Sequence, residues 1–368
     1  MHTNVDRTAL IDDPPPTTPF EVVDECGLLR LRHYGPPRAA SAAPVLFVYS
    51  LFKRPYVLDL LPERSLVQTF LREGFAVYVT DWLPPLSQDG VRGLHDYVNC
   101  DLAHAVECVR KREGAERISL VGCCLGGVLA VIYAALHPHT VERLVPFALP
   151  FDSRPPFPPG AAAQLVSLYG NVPSWWIRMA LNSRVSNPFR LPSFLAEELG
   201  EPELEECDGG QRTDVQVRLE QWFGSDVPLA GRLFCEVMQG AFGDSQFAAD
   251  RLQVGDRCVQ LADIECPVLN ISAERDLLVP PQDSAAFVER VGSREASNLV
   301  FPNGHLGLMV SRAAHETLWP YVASWLRGGV AERQPGIPAP FGSAELLGST
   351  KSARSRAERG ASARRGQS

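Results

Sequence analysis

Gly122-Cys123-Cys124-Leu125-Gly126-Gly127 joins the apolar run Arg117–Val121 to a second apolar run, Leu125–Leu136. A strand that enters a helix through G-x-C-x-G-G has the pattern of a nucleophile elbow, with cysteine in the serine position. The chemistry needs that spacing. A tight turn lifts the nucleophile above the sheet, and glycines without Cβ let strand and helix approach closely. Glycine two positions to either side selects Cys124 as the apex and leaves Cys123 to packing. The helix that starts at Leu125 sets its free N–H groups and positive dipole end beside Cys124, an environment that favours thiolate. The Leu125 N–H is expected to be an oxyanion donor. A second donor is expected from the loop after Val45–Tyr49, around Ser50 and Leu51.

A thiol nucleophile needs a base, and the base needs an orienting acid. On this scaffold the acid and then the histidine follow late strands in chain order. Asp276 lies just past Pro267–Ser272, and His305 lies just past Ala296–Phe301. Glu274 is the rival acid. Asp276 is preferred because Leu277-Leu278-Val279-Pro280-Pro281 follows it like the turn at that position in such enzymes. His137 and His139 flank Pro138 at a helix end without a third ligand. His95, His104 and His315 lie in helical stretches without acids at ligand spacing, so no metal is expected.

The elements that must carry these residues alternate. Phe20–Asp24 and Leu28–His33, around Gly27, predict a β-hairpin, and Val45–Tyr49 predicts a buried strand. A helical stretch ends at Gly74 before the strand Phe75–Thr80. The helix Leu94–Arg112, strand Arg117–Val121, helix Leu125–Leu136 and strand Val145–Ala148 follow. After an interruption come the strand Pro267–Ser272, helix Ser284–Val291, strand Ala296–Phe301 and helix Ala313–Leu326. Such alternation implies an α/β protein whose mostly parallel sheet is covered on both faces. Residues 1–19 read as a disordered lead-in, 20–151 and 263–328 as two parts of one core, and 152–262 as an inserted helical cap. Residues 329–368 form a low-complexity tail whose end carries Lys351, Arg354, Arg356, Arg359, Arg364 and Arg365 against Glu358.

Composition removes several classes of function. A net charge of −8 without basic–aromatic interleaving argues against a nucleic-acid binder. The longest apolar stretch, Gly127–Leu136, is too short for a bilayer span. The start of the chain lacks the basic-then-apolar pattern of a secretory signal, so a cytoplasmic location is expected. Nine cysteines, an odd number without a CxxC pair, fit neither a disulfide framework nor a zinc site.

The chain resembles the polyhydroxyalkanoate synthases, in particular the shorter type that works with a separate subunit. The resemblance runs from about Val45 to Leu326. Beyond the elbow it rests on Lys53-Arg54-Pro55-Tyr56-Val57-Leu58-Asp59-Leu60, Val79-Thr80-Asp81-Trp82, Gly170-Asn171-Val172-Pro173, Glu220-Gln221-Trp222, Cys266-Pro267-Val268-Leu269-Asn270-Ile271 and Phe301-Pro302-Asn303-Gly304-His305-Leu306-Gly307. It implies an α/β-hydrolase fold and the catalytic set Cys124, Asp276 and His305. Leu277 stands where many members carry histidine, and Leu125 where the box more often has a polar residue. The implied activity is polymerisation of (R)-3-hydroxyacyl-coenzyme A thioesters onto a growing polyester, with coenzyme A as substrate fragment and product and no separate cofactor. A homodimer, a second synthase subunit and a place at the surface of polyester granules are further expectations. An esterase or thioesterase using water, and a non-catalytic granule protein, are the alternatives.

Overall fold

The fold, taken from a computed structural model, is described for residues 7–35, 43–153, 160–182, 191–204, 213–238, 246–328 and Pro338. The Pro155–Pro159 cluster, Cys207 and the basic tail lie outside the described residues. Eight strands form the main sheet: β1 Phe20–Cys26, β2 Leu29–Tyr34, β3 Val45–Val48, β4 Val77–Trp82, β5 Ile118–Cys123, β6 Val141–Phe147, β7 Val268–Ala273 and β8 Ala296–Phe301. Their spatial order is β1-β2-β4-β3-β5-β6-β7-β8. β1 pairs with β2 and β2 with β4 in antiparallel fashion, and every pairing from β4 to β8 is parallel. This is the doubly covered sheet that the alternating pattern predicts.

The apolar runs become the central strands because both faces there are sealed. All residues of β3, β4, β5 and β7 are buried. Alternate residues of β3 serve two cores: Leu46 and Val48 on one face, Val45 and Phe47 on the other, where Tyr49 just after the strand joins them. The helices flanking the first half are α1 Leu66–Arg72, α2 Ala103–Glu113 and α3 Leu125–Leu136. All twelve residues of α3 are buried, which suits a helix with no polar face.

Between β6 and β7 the chain leaves the sheet and forms α4 Ala161–Tyr169, α5 Ser174–Asn182, α6 Leu191–Leu199, α7 Asp214–Gly224 and α8 Gly231–Cys235. These helices touch the core at defined points. Val227 N donates to Phe52 O at 3.0 Å, Lys53 pairs with Asp226 at 2.5 Å, and Trp222 Nε1 donates to Arg54 O at 3.0 Å. The loop that leaves β3 therefore lies under residues 222–227. The short helices α9 Pro281–Ala285 and α10 Gly307–Val310, with α11 Trp319–Leu326, complete the second half.

Several expected boundaries shift for physical reasons. The strand expected at Val145–Ala148 runs from Val141 and stops at Phe147, because Ala148 takes φ 48°. The helix expected over 94–112 opens with a wide π-type segment, Asp96–Leu102, before α2. The last helix likewise starts as a π segment, Ala314–Leu318, and becomes α-helical around Pro320, which has no N–H to give to the ladder. The segment before β1, expected to be disordered, is tied to the core at Asp13 and Thr18. Asp13 bonds Arg32 at 3.0 Å and Arg54 at 2.8 Å, both arginines also bond the buried Asp81, and Thr18 N donates to Asp59 at 2.7 Å. The buried arginines need more carboxylate than Asp81 alone supplies, and Asp13 provides it.

Candidate active site

Cys124 stands between β5 and α3 with φ 50° and ψ −118°, a backbone conformation that a non-glycine residue rarely adopts. Neighbouring contacts impose it. Cys124 N donates to Phe147 O at 3.0 Å, and Cys124 O accepts Val128 N at 3.1 Å. A Cβ on Gly126 would lie 2.1 Å from Val48 O, so the first turn of α3 rests directly on the backbone at the end of β3. That contact sets the first turn of α3 against Val48 and Tyr49, where the chain leaves β3. Cys123 turns the other way: it is buried, its Sγ lies 3.6 Å from Met309 Sδ, and burial pushes its thiol pKa well up.

The loops after β7 and β8 bring the other two residues together. Arg275 N donates to Asn303 O at 3.0 Å and Glu274 N to Phe301 O at 2.8 Å, which ties one loop to the other. Asp276 is buried at 4% exposure, and its two oxygens face different partners. Oδ1 accepts Leu278 N at 2.8 Å and Val279 N at 2.7 Å. Oδ2 meets His305 Nδ1 at 2.7 Å. The backbone donors thus fix the carboxylate and aim its free oxygen at the ring. Glu274, the rival acid, is exposed.

The Cys124 side chain interacts with the same imidazole, for which Nε2 is free because Nδ1 is occupied. Burial pulls the His305 pKa down, but the facing charge and hydrogen bond of Asp276, with the Cys124 contact, outweigh it and hold the ring well above its ordinary value. A carboxylate, imidazole and thiol grouped in this way have the chemistry for moving a proton from sulfur to the ring with its charge compensated.

The other described histidines lie elsewhere. His315 is buried with Nε2 on Met309 O at 2.8 Å, and desolvation lowers its pKa to about 4. His137 meets Asn99 Oδ1 at 3.1 Å. His104 Nε2 lies 2.9 Å from Asp24 of the hairpin. Among the described residues no group of three or more His, Cys, Asp and Glu side chains could hold a metal ion. Likewise, no described helix is long and apolar enough to cross a membrane.

Residues 43–312 match the alpha/beta hydrolase fold family. The chain is 34% identical to the poly(3-hydroxyalkanoate) polymerase subunit PhaC of Haloferax mediterranei, over 87% of this chain and 68% of that protein. It is 32% identical to the subunit of the same name from Allochromatium vinosum, over 83% of this chain and 87% of that one. The chain belongs to the poly(3-hydroxyalkanoate) polymerase family. Solved structures share the fold of this chain. A soluble variant of monoglyceride lipase from Saccharomyces cerevisiae superposes with a TM-score of 0.55 at 14% identity, covering 86% of this chain and 97% of the lipase. The enol-lactonase of Burkholderia xenovorans does so at 0.51 and 16%, over 84% and 99%. At those identities the likeness concerns the fold alone.

One acid near this site has no signal in the sequence. Glu198, on α6, is buried and touches the turn that carries His305. It belongs to no motif and lies far from Asp276 and His305 in the chain, so spacing could not have found it.

Proposed function

We infer that this chain is a poly(3-hydroxyalkanoate) polymerase subunit that transfers acyl groups through Cys124. The observation that carries the reading is a buried imidazole whose Nδ1 lies 2.7 Å from a buried carboxylate and whose ring interacts with the elbow cysteine. Cys124 attacks the carbonyl of a (R)-3-hydroxyacyl-coenzyme A thioester while His305 takes its proton, and Asp276 compensates the imidazolium. The N–H of Leu125, with that of Leu51, receives the developing oxyanion. Collapse breaks the bond to coenzyme A, which leaves as a thiol with the proton held by His305. The acyl group stays on sulfur as a thioester, so its activation is kept. A 3-hydroxyl from a monomer or chain end then attacks the thioester as His305 takes its proton; the bond between the acyl carbon and Cys124 Sγ breaks, the proton returns to the sulfur, and the polyester gains one ester bond.

Serine at the apex would convert the thioester into an ester and lose that activation at the first step; cysteine keeps it. Water competes for the same intermediate, and helices α4–α8 serve as the cap that limits it. Three contacts noted above, Phe52–Val227, Lys53–Asp226 and Arg54–Trp222, support that role because they lie over the loop of the second oxyanion donor. The subunit acts as a homodimer with a second synthase subunit, at the surface of polyester granules, and uses no separate cofactor.

Purified protein incubated with 3-hydroxybutyryl-coenzyme A tests this. Release of coenzyme A with insoluble polyester is expected, and Cys124→Ala abolishes both. Stoichiometric free 3-hydroxy acid would make the protein a thioesterase. Release unchanged in Cys124→Ala would remove Cys124 from the chemistry.

A further inference from the structure

Glu198 sits near the C-terminal end of α6 at 5% exposure. Its backbone carbonyl accepts Gly304 N at 2.9 Å, and its Oε2 accepts Leu306 N at 3.0 Å, so it grips the residues on both sides of His305. The fit is close. A Cβ on Gly304 would lie 2.4 Å from the Glu198 carboxyl carbon, and one on Gly307 would lie 2.3 Å from the Glu198 carbonyl oxygen. Just beyond, Glu201 binds Arg64 through two bonds of 2.9 and 2.7 Å and accepts Arg312 N at 2.8 Å. Arg64 also donates to Val310 O at 2.7 Å. The stretch 304–312 is therefore held at both ends from the same side.

Docking a turn onto a helix does not require a buried acid, because an amide would accept the Leu306 N–H equally well without the cost of burying charge. The carboxylate is therefore better explained by what it faces. Its electrostatic neighbours are His305, Asp276 and Glu197; Glu201 is already paired with Arg64 and Arg312, and Arg275 lies against Gly200. We propose that Glu198 is a positioning residue for the acyl-transfer reaction: it clamps the Gly304–Leu306 turn, holds the His305 ring between Asp276 and Cys124, and sets a second negative charge beside the imidazolium. The inference rests on the acyl-transfer reading and names a residue that this reading does not need. Desolvation, only partly offset by the Leu306 hydrogen bond, pushes the Glu198 pKa up to about 7. Its charge therefore changes close to neutral pH.

Glu198→Ala and Glu198→Gln test this, compared with the parent by two assays over pH 5–9. One assay is coenzyme A release. The other is alkylation of Cys124 by iodoacetamide, read on the Cys124 peptide by mass spectrometry, which needs no acyl substrate and so stands even if the protein releases no coenzyme A. Glu198→Gln keeps the Leu306 N–H acceptor, and its kcat is expected within about tenfold of the parent. Without the second charge the neutral thiol–imidazole pair gains on the thiolate–imidazolium pair. Alkylation near neutral pH then slows several-fold, and its rise moves to higher pH. Glu198→Ala also frees the turn and is expected to lower kcat on the order of a hundredfold with KM little changed. Alkylation and rate profiles in Glu198→Gln that overlay the parent would overturn the proposal, even if Glu198→Ala were unstable, because Glu198 would then be a structural clasp. A Glu198→Ala protein that folds with parental kcat would overturn it as well.

Discussion

Gly126→Ala examines the elbow without touching a reacting group. The added methyl would lie 2.1 Å from Val48 O and 2.6 Å from both the carbonyl carbon and oxygen of Tyr49. An ordinary carbon–oxygen contact is about 3.3–3.6 Å, so α3 must back away from β3 by roughly 1 Å. No flexible side chain is available to yield, because every atom in the way is backbone. Overpacking of this kind costs about 1–3 kcal/mol, which lowers Tm by several degrees in a chain of this size. The same displacement moves Cys124 relative to His305 and shifts the Leu125 amide away from the end of β3. A shift of about 1 Å costs on the order of a hundredfold in rate. Thermal denaturation and coenzyme A release, measured together, read both effects. Gly224→Ala is the control, since a Cβ there meets nothing within 4 Å. A Gly126→Ala protein with the parental Tm and rate would refute the close crossing and, with it, the elbow geometry.

Three further outcomes follow from named contacts. Asp276→Asn keeps the shape but removes the charge facing Nδ1, so coenzyme A release should fall by about 10³- to 10⁴-fold while the fold, read by circular dichroism, is retained. His305 has a folded pKa held above its ordinary 6.5, so its contribution to stability is complete below that value and lost as pH rises through the raised one. The Tm difference between the parent and His305→Gln should therefore shrink from pH 6 upward; a constant difference would contradict the Asp276–His305 coupling. Glu198 carries its proton more tightly when folded, so the unfolded chain ionises first and stability falls as pH rises from 4.5 to about 7. At about 1.4 kcal/mol per pKa unit the penalty above pH 7 is roughly 3 kcal/mol. Glu198→Gln should thus raise Tm at pH 8 more than at pH 5, and equal shifts would contradict it.

The elbow was legible because its physics is local. Gly122 and Gly126 bracket one cysteine at the spacing that a strand-to-helix crossing needs, and the flanking apolar runs announce the strand and the helix. Asp276 and His305 were legible because each follows a buried strand, and the order of those strands in the chain orders the residues. Glu198 was silent in the sequence: its partners Gly304 and Leu306 are backbone groups brought to it only by tertiary packing. Asp13 was misread for the same reason, since a proline-rich polar stretch looks disordered until Arg32 and Arg54, buried beside Asp81, require it. The π segments at Asp96–Leu102 and Ala314–Leu318 have the same apolar spacing as ordinary helix over so few residues, so periodicity does not separate them.

The central claim is a covalent one: the acyl group rests on Cys124 between the loss of coenzyme A and the formation of the next ester. The most direct measurement is mass spectrometry of proteolytic peptides after rapid quenching of the protein with 3-hydroxybutyryl-coenzyme A at acidic pH. The peptide that spans Gly122–Gly127 should gain the mass of one or more 3-hydroxybutyryl units, with the modification on Cys124 and absent in Cys124→Ala. Acyl mass found on Cys123 or another residue, or an unmodified Cys124 in a sample that is turning over, would contradict the account.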